Sequence, residues 1–453
     1  MKKHSNQIDM LHGPLAGKIV RFALPLALAS ILQQLFNSAD LAVVGRFDSS
    51  TAMAAVGSNA ALINLLVSLF SGLSLGTNVV IASLIGRGEK EKISDAVHTS
   101  VLTAFLSGCI VLTLGEIIAP NLLLLMSTPD EVLPLATLYL RIYFLTMPFL
   151  LLYDFGSSIL RARGDSTRPL IVLIISGLVN IELNIVFVAG FGMGVAGVAT
   201  ATVISNAISA VLVMSFLVRD TGLFHLSFRK LKIHGQILKK VIAIGAPAGL
   251  QGMVFSLSNV VIQSGINSFG ADCIAGNTAA QNFEFMCYFI INGFSQATTT
   301  FTSQNFAAGK KKRCDQILRI CLVIGLLSTL ALSTVFYLGK GAFILIFTTD
   351  DAVKHYAYIR LLCIGMLELL TGTYEMPGGS MRGMGDSLTP AIITMLGSCV
   401  FRLVWIWTVF RAFHSIEVLL VVYPISWVIC GVAMNIARAR RRRIAYALVK
   451  ETD

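Results

Sequence analysis

"IVRFALPLALASILQQLFNSADLAVVG", Ile19 to Gly45, is almost wholly apolar yet carries Asp40 near its end. At about 1.5 Å of rise per residue, some 20 apolar residues cross the hydrocarbon core of a bilayer. This run is longer than that, as a tilted membrane helix can be. The same pattern returns as "VIAIGAPAGLQGMVFSLSNVVIQSGIN", Val241 to Asn267, displaced by 222 residues, with Pro25 over Pro247 and Asn37 over Asn259. A second pair, "RARGDSTRP" (Arg161 to Pro169) and "RGMGDSLTP" (Arg382 to Pro390), is displaced by 221. A duplicated helix and a duplicated loop at one displacement imply two copies of one helical bundle.

Composition agrees. Of 453 residues, 55% are hydrophobic and 13% charged, with a mean hydropathy of +0.77. Soluble domains hold about 25% charged residues. In lipid every backbone polar group must be satisfied internally, so only helices or closed barrels span. The runs here are long and lack the alternating ten-residue pattern of a barrel, so the reading is helical.

Twelve apolar segments follow, at 16–44, 52–82, 94–120, 132–159, 169–190, 194–218, 238–268, 274–306, 316–346, 354–380, 389–411 and 416–437. The expected fold is an all-α integral membrane protein with twelve transmembrane helices in two pseudo-symmetric six-helix bundles. The expected division is 1–218 for the first lobe, 219–240 for a cytoplasmic linker, and 241–453 for the second lobe with its basic tail. Six spans per repeat keep both copies in one orientation, with the symmetry axis along the membrane normal.

Lysine and arginine set the orientation. With a cytoplasmic N-terminus, most of the 35 basic residues fall inside: Lys2, Lys3, Lys18, the 161–168 and 219–240 loops, Lys310 to Arg313, and the "RARRRR" tail with Lys450. Only Arg46, Lys340, Lys354 and Arg411 fall outside. Both termini are therefore expected in the cytoplasm of a multi-pass cell-membrane protein. The net charge of +11 reads as topology and membrane-surface anchoring, with no nucleic-acid partner implied. The N-terminus lacks a small-residue cleavage site, so the first helix is expected to be retained. The eight cysteines form no C-x-x-C, which predicts neither a disulfide framework nor a metal site.

A charge in the bilayer core costs about 2.5–3.5 kcal/mol on insertion scales and usually faces a cavity or a partner. On the first span Gln33, Asn37 and Asp40 share a face with Ser30, and Gln34 adjoins it. Asp40 lies about 28 Å along from Arg21, in the outer part of the membrane. The bland alternative is snorkelling to the interface, for which aspartate is short. On the fifth span Asn180 and Asn184 face together and could meet Asp40, whereas Glu182 is turned about 200° away. On the eighth span Asn277, Gln281, Glu284 and Tyr288 form a polar stripe, either facing a cavity or hydrogen-bonded within the fold.

Asp154 and Glu375 hold matching repeat positions before Arg161 and Arg382, as a gate or a shared structural element. Glu368 is read either as a buried ion pair with Arg402 or as part of the transport machinery. Pro25 is a hinge candidate or a fixed kink. "GMGVAGVATA", Gly192 to Ala201, reads as close helix packing. No P-loop, H-E-x-x-H or G-x-S-x-G motif is present, so direct ATP coupling and familiar hydrolysis are not expected.

"FALPLALASILQQLFNSADLAVVGRF", "TTFTSQNFAAGKKKR", "RARGDSTRP", "GMGVAGVATATVIS", "SMRGMGDSLTP" and "YPISW", in this order, resemble the multidrug and toxic compound extrusion (MATE) transporters, nearest their DinF-like bacterial branch. The similarity runs over about residues 10 to 440. It implies two six-helix lobes in a V around a central cavity, and export of organic cations or amphipathic drugs against inward H⁺ or Na⁺. It also implies that Asp40 is the cation-coupling residue. The family often carries N-x-x-L-D on the fifth span; here "NIELN" keeps Asn180 but has Asn184 at the acid's position, which weakens a Na⁺ site built from two carboxylates. The seventh-span glutamate of the NorM-like branch is absent from "GLQGMVFSLSN", leaving Glu284 as the acid of the second lobe's cavity.

The combined expectation is a monomeric antiporter with no cofactor beyond the transported H⁺ or Na⁺. Its coupling site would be Asp40, Asn37, Asn180 and Asn184. Its substrate cavity would add Gln33, Gln34, Asn259, Asn277, Gln281, Glu284 and Tyr288. The alternatives are a flippase or metabolite exporter, whose cavity would be cationic rather than acidic, and a non-transporting receptor or scaffold.

Overall fold

The computed structural model describes residues 7–125 and 129–449, and Lys2, Lys3 and Lys450 lie outside the described residues. The first half contains α1 (Ala16–Phe47), α2 (Ser50–Arg87), α3 (Lys90–Leu125), α4 (Leu133–Phe144), α5 (Met147–Ala162), α6 (Thr167–Asn184) and α7 (Gly194–Val218). The second contains α8 (Gly235–Asn267), α9 (Ala271–Ala307), α10 (Lys311–Leu338), α11 (Lys340–Leu345), α12 (Asp351–Cys363), α13 (Gly372–Gly383), α14 (Leu388–Thr394), α15 (Phe401–Trp405) and α16 (Ile416–Leu448). Each of the twelve expected segments carries its helix, and no strand occurs among the described residues.

Among the described residues nine helical stretches are long and apolar enough to cross a bilayer, Leu388–Phe410 being one stretch made of α14, α15 and their π-helical turns, and the α4–α5 pair, bent by 47°, makes a tenth. The bend follows from Pro148, which has no N–H to return to the α4 end. Two expected spans are not among these stretches: α9, which is rich in polar residues, and the α12–α13 span, which is divided into short helices. α9 carries the Asn277–Glu284 stripe, and α12 reaches α13 through a 3₁₀ turn, Gly365–Thr371, that holds Glu368. Side-chain caps set other ends: Ser49 accepts from the Ala52 N–H, Asp350 from Ala352 and Val353, and Ser415 from Val418.

The chain forms two compact units. Leu28–Gly245 belongs to one, and Asp9–Ala27 joins Ala246 onward in the other. The change of unit thus falls inside α1, just after Pro25, and inside α8, just before Pro247. Residues 219–240 pack with the first unit, because Phe224 and Leu226 enter its core and Thr99 Oγ1 donates to the Lys232 carbonyl.

Matching backbone contacts hold the exchanged pieces. In the first unit a Cβ on Gly76 of α2 would lie 2.3 Å from the Val241 carbonyl at the start of α8. In the second, a Cβ on Gly293 of α9 would lie 2.8 Å from the Ala23 carbonyl at the start of α1. Only glycine permits so close an approach at either crossing.

The segment before α1 is pinned within the second unit. Asn305 Nδ2 donates to the Met10 carbonyl, Lys310 Nζ to Leu11 and Arg313 Nη1 to Gly13, at 3.0, 3.0 and 3.1 Å. Partial burial would raise the Asp9 pKa, but the Leu11 N–H and His12 outweigh it and hold the carboxyl below its ordinary value.

A local irregularity respects the repeat. α6 ends in a π-helical turn at Ile185–Gly190, and α15 in another at Ile406–Phe410, 221 residues on. The second copy adds a π-helical turn at Met395–Val400. Such turns shift the facing register within a helix and cluster at functional sites.

Candidate functional site

In the first unit α1, α5, α6 and α7 line a cavity of about 80 Å³ with both polar and apolar side chains. Its position depends on a small residue. Gly177 of α6 leaves room for the Phe36 ring, whose edge would overlap any Cβ there. With Phe36 seated against α6, the next turn of α1 delivers Asp40 to the α6 side chains. Asn184 Nδ2 donates to Asp40 Oδ1 at 2.6 Å, and also lies 3.2 Å from Asn180 Oδ1. Asn180 Nδ2 reaches Ser205 Oγ of α7 at 3.5 Å. Asp40, Asn184 and Asn180 are all buried.

Asp40 has no cationic partner within ion-pair distance among the described residues; its neighbour is an amide. A carboxylate so placed can exchange its amide contact for a small cation or a proton without first breaking a salt bridge. Asn184 Oδ1 is buried without a hydrogen bond, so the amide's oxygen is also unspent beside the acid.

The other expected first-lobe residues divide. Gln33 and Asn37 line the same cavity but are exposed, and Asn37 makes no hydrogen bond to Asp40. Gln34 does not line it. Glu182 is exposed and points away, as its angular position predicts. Sequence reasoning missed α7's contribution: Thr202, Ser205, Asn206 and Ser209 also line the cavity. Their i, i+3, i+4, i+7 spacing places them on one face of α7, a signal present in the sequence beside the glycine-rich run.

The second unit is built otherwise. Asp40 corresponds to Ile262, and Asn180 and Asn184 to Phe401 and Trp405, whose rings lie 5.9 Å apart. Its acids sit in a buried charge cluster. Arg360 of α12 donates Nε and Nη2 to the two Glu284 oxygens at 2.8 and 3.0 Å, and Nη1 to Asn277 Oδ1 at 2.5 Å. Glu284 and Asn277 therefore face Arg360, while Gln281 and Tyr288 are half-buried on the same helix.

The expected Glu368–Arg402 pair does not form. Arg402 stacks on Tyr423 at 4.2 Å and donates Nε to Ser426 Oγ at 3.1 Å, and Glu368 Oε2 is buried without a hydrogen bond. The reason is the 3₁₀ turn holding Glu368 and the π-helical turns flanking Arg402, which shift both out of the register that regular helices would give them.

Glu375 pairs with Arg382 at 3.8 Å, and Arg382 Nη2 also donates to Gln251 Oε1 at 2.8 Å. Asp154, at the matching position, is half-buried. Asn259 Oδ1 is buried without a hydrogen bond, and Pro25 lies inside α1. Among the described residues no three His, Cys, Asp or Glu side chains assemble into a metal site.

The sequence pattern of the MatE family matches this chain twice, at residues 25–186 and 247–408. The two matches start 222 residues apart, the displacement of the internal repeat. The chain is 29% identical over 382 residues to the probable multidrug resistance protein YoeA of Bacillus subtilis (strain 168), covering 83% of this chain and 82% of that one. It is 26% identical over 391 residues to the probable multidrug resistance protein NorM of Thermotoga maritima, covering 85% and 84%. Its fold superposes with a TM-score of 0.90 on the outward-facing conformation of a multidrug resistance MATE family transporter, at 22% identity over 98% of this chain and 100% of that chain. With the family pattern covering both halves of a twelve-span repeat, the chain belongs to the MatE family.

Proposed function

We propose that this protein is a secondary active antiporter that exports organic cations and amphipathic drugs in exchange for inward H⁺ or Na⁺, with Asp40 as the coupling residue. The observation that carries the reading is the Asp40–Asn184 contact, buried in that cavity and free of any arginine or lysine. The names of the relatives, multidrug resistance proteins, support drugs as the cargo, and the buried acid favours cationic ones.

In this account Asp40 is ionised when the cavity opens outward. Binding of H⁺ or Na⁺ removes its net charge and its attraction for an organic cation, so the substrate leaves. Release of the coupling ion inside restores the acid. Because Asp40 lacks a resident counter-ion, the coupling ion and the cationic substrate compete for one charge. Pro25, with no N–H to offer the Arg21 carbonyl, is the natural place for α1 to change its bend. The protein would act in the cell membrane as a monomer with both termini in the cytoplasm, the side of its basic loops.

The test is ethidium transport in everted vesicles, energised in turn by a pH gradient and a Na⁺ gradient. At least one gradient is expected to drive accumulation several-fold above vesicles without the protein. Absence of gradient-driven transport for a panel of organic cations would reject the proposal. An acidic cavity also disfavours a flippase for anionic lipid-linked sugars, which needs cationic side chains at the substrate.

A further inference from the structure

At the basic end of the first unit a second cavity, of about 210 Å³, lies where α5, α6 and α7 end or begin. Arg163, Arg168, Phe216, Arg219, Asp220 and Thr221 line it. Charge here is unevenly spent. Arg163 is consumed: its Nη1 bonds Asp220 Oδ2, its Nη2 lies 3.9 Å from Asp165 Oδ2, and its guanidinium faces the Phe224 ring at 5.5 Å. Both acids are consumed as well. Asp220 Oδ1 accepts from the Gly222 N–H at 2.7 Å, and Asp165 Oδ1 from the Arg168 N–H at 3.1 Å.

The other two arginines are not spent. Arg168 sets Nε 3.3 Å from Asp165 Oδ2 and its guanidinium carbon 5.2 Å from the centre of the Phe216 ring, and neither Nη group has a hydrogen bond among the described residues. Arg219, the residue that closes α7, is exposed, and its side chain has no hydrogen bond or ion pair among the described residues. Two planar guanidinium groups, one of them held beside an aromatic ring, therefore line one cavity with their Nη donors unused. That geometry matches the paired oxygens of a phosphate.

The internal repeat supplies a control. The same turn in the second unit has Gly385 at φ +94° against Gly164 at φ +96°, and Asp386 Oδ1 accepts from the Thr389 N–H at 3.1 Å as Asp165 does from Arg168. Yet Met384 and Thr389 stand where the first copy has Arg163 and Arg168. The second turn keeps the same backbone with neither arginine, its acid being met instead by Arg441 Nε at 3.2 Å, so the shape of the turn does not require Arg168.

We infer that this cavity is a phosphate-binding site, held chiefly by Arg168 and Arg219, for a phosphate carried either by an anionic lipid headgroup or by a small soluble molecule. It is separate from the Asp40 cavity and does not rest on the transport proposal.

The experiment uses the full chain in neutral detergent and follows its thermal unfolding midpoint. One titration adds phosphatidylglycerol to the micelles over a phosphatidylcholine baseline; another adds inorganic phosphate at constant ionic strength. A saturable upward shift in the wild type is expected in one of them, and the one that responds identifies the source. Arg219→Gln, which removes no contact within the fold, should weaken apparent affinity about 5-fold, and the Arg168→Gln/Arg219→Gln pair about 30-fold. Arg229→Gln, an exposed arginine outside the cavity, should change it less than about 2-fold. No saturable shift with either ligand, unchanged affinity in Arg219→Gln and the double variant, or an equal loss in Arg229→Gln would overturn the inference.

Discussion

Replacing Asp40 with asparagine is expected to bring gradient-driven dye transport down to the level of vesicles without the protein, under both pH and Na⁺ gradients. The substitution keeps the size of the side chain and an oxygen that can accept from Asn184 Nδ2, so the 2.6 Å contact and the cavity survive. What it removes is the charge for which coupling ion and substrate compete. The variant should reach the membrane in normal amount and melt within a few degrees of the wild type. Transport is the readout, compared at equal protein level; undiminished gradient-dependent transport would show that the coupling charge lies elsewhere.

The second large effect is on stability. Arg360→Met would strand Glu284 as a buried acid without its bidentate partner and remove the donor to Asn277. Breaking a buried pair by deleting one member costs about 3–5 kcal/mol, because the remaining charge is left uncompensated. The melting temperature in detergent should fall by roughly 10 °C. The double variant Glu284→Met/Arg360→Met should recover most of that loss, since an apolar replacement of the whole pair is often neutral. A double variant as unstable as the single one would mean that the pair is not the unit of stability. If Glu284 serves the fold rather than the cavity, the double variant keeps gradient-driven transport where Asp40→Asn does not.

These two acids show what the sequence made legible. Asp40 announced itself as a carboxylate in an apolar run whose repeat partner is Ile262, and its meeting with Asn184 followed from helical periodicity on two spans. The twelve spans and the twofold repeat were equally plain, because hydropathy and a fixed displacement are properties of the string. The Glu284–Arg360 pair was not legible. Its members are 76 residues apart on two different spans, a separation that helical periodicity within one span does not bridge. The pairing expected from the charges alone was Glu368 with Arg402, and the 3₁₀ and π-helical turns at these residues are not encoded in the charge pattern. The sharing of α1 and α8 between the two compact units also left little trace beyond Pro25 and Pro247. The contacts that hold the exchanged pieces are glycine approaches, such as Gly76 on Val241, which no periodicity encodes.

The two units are thus alike in backbone and unlike in chemistry. One surrounds a lone acid with amides and hydroxyls; the other replaces those positions with Ile262, Phe401 and Trp405 and neutralises its own acid with arginine. On this account coupling resides in the first unit alone. The direct measurement is ion movement driven by substrate in liposomes holding the purified protein. With an organic cation loaded inside, its exit should drive coupling-ion uptake, read as internal acidification for H⁺ or entry of radiolabelled Na⁺. The account predicts such uptake for the wild type and for Glu284→Met/Arg360→Met, and none for Asp40→Asn. Substrate-driven ion uptake that persists in Asp40→Asn would contradict it.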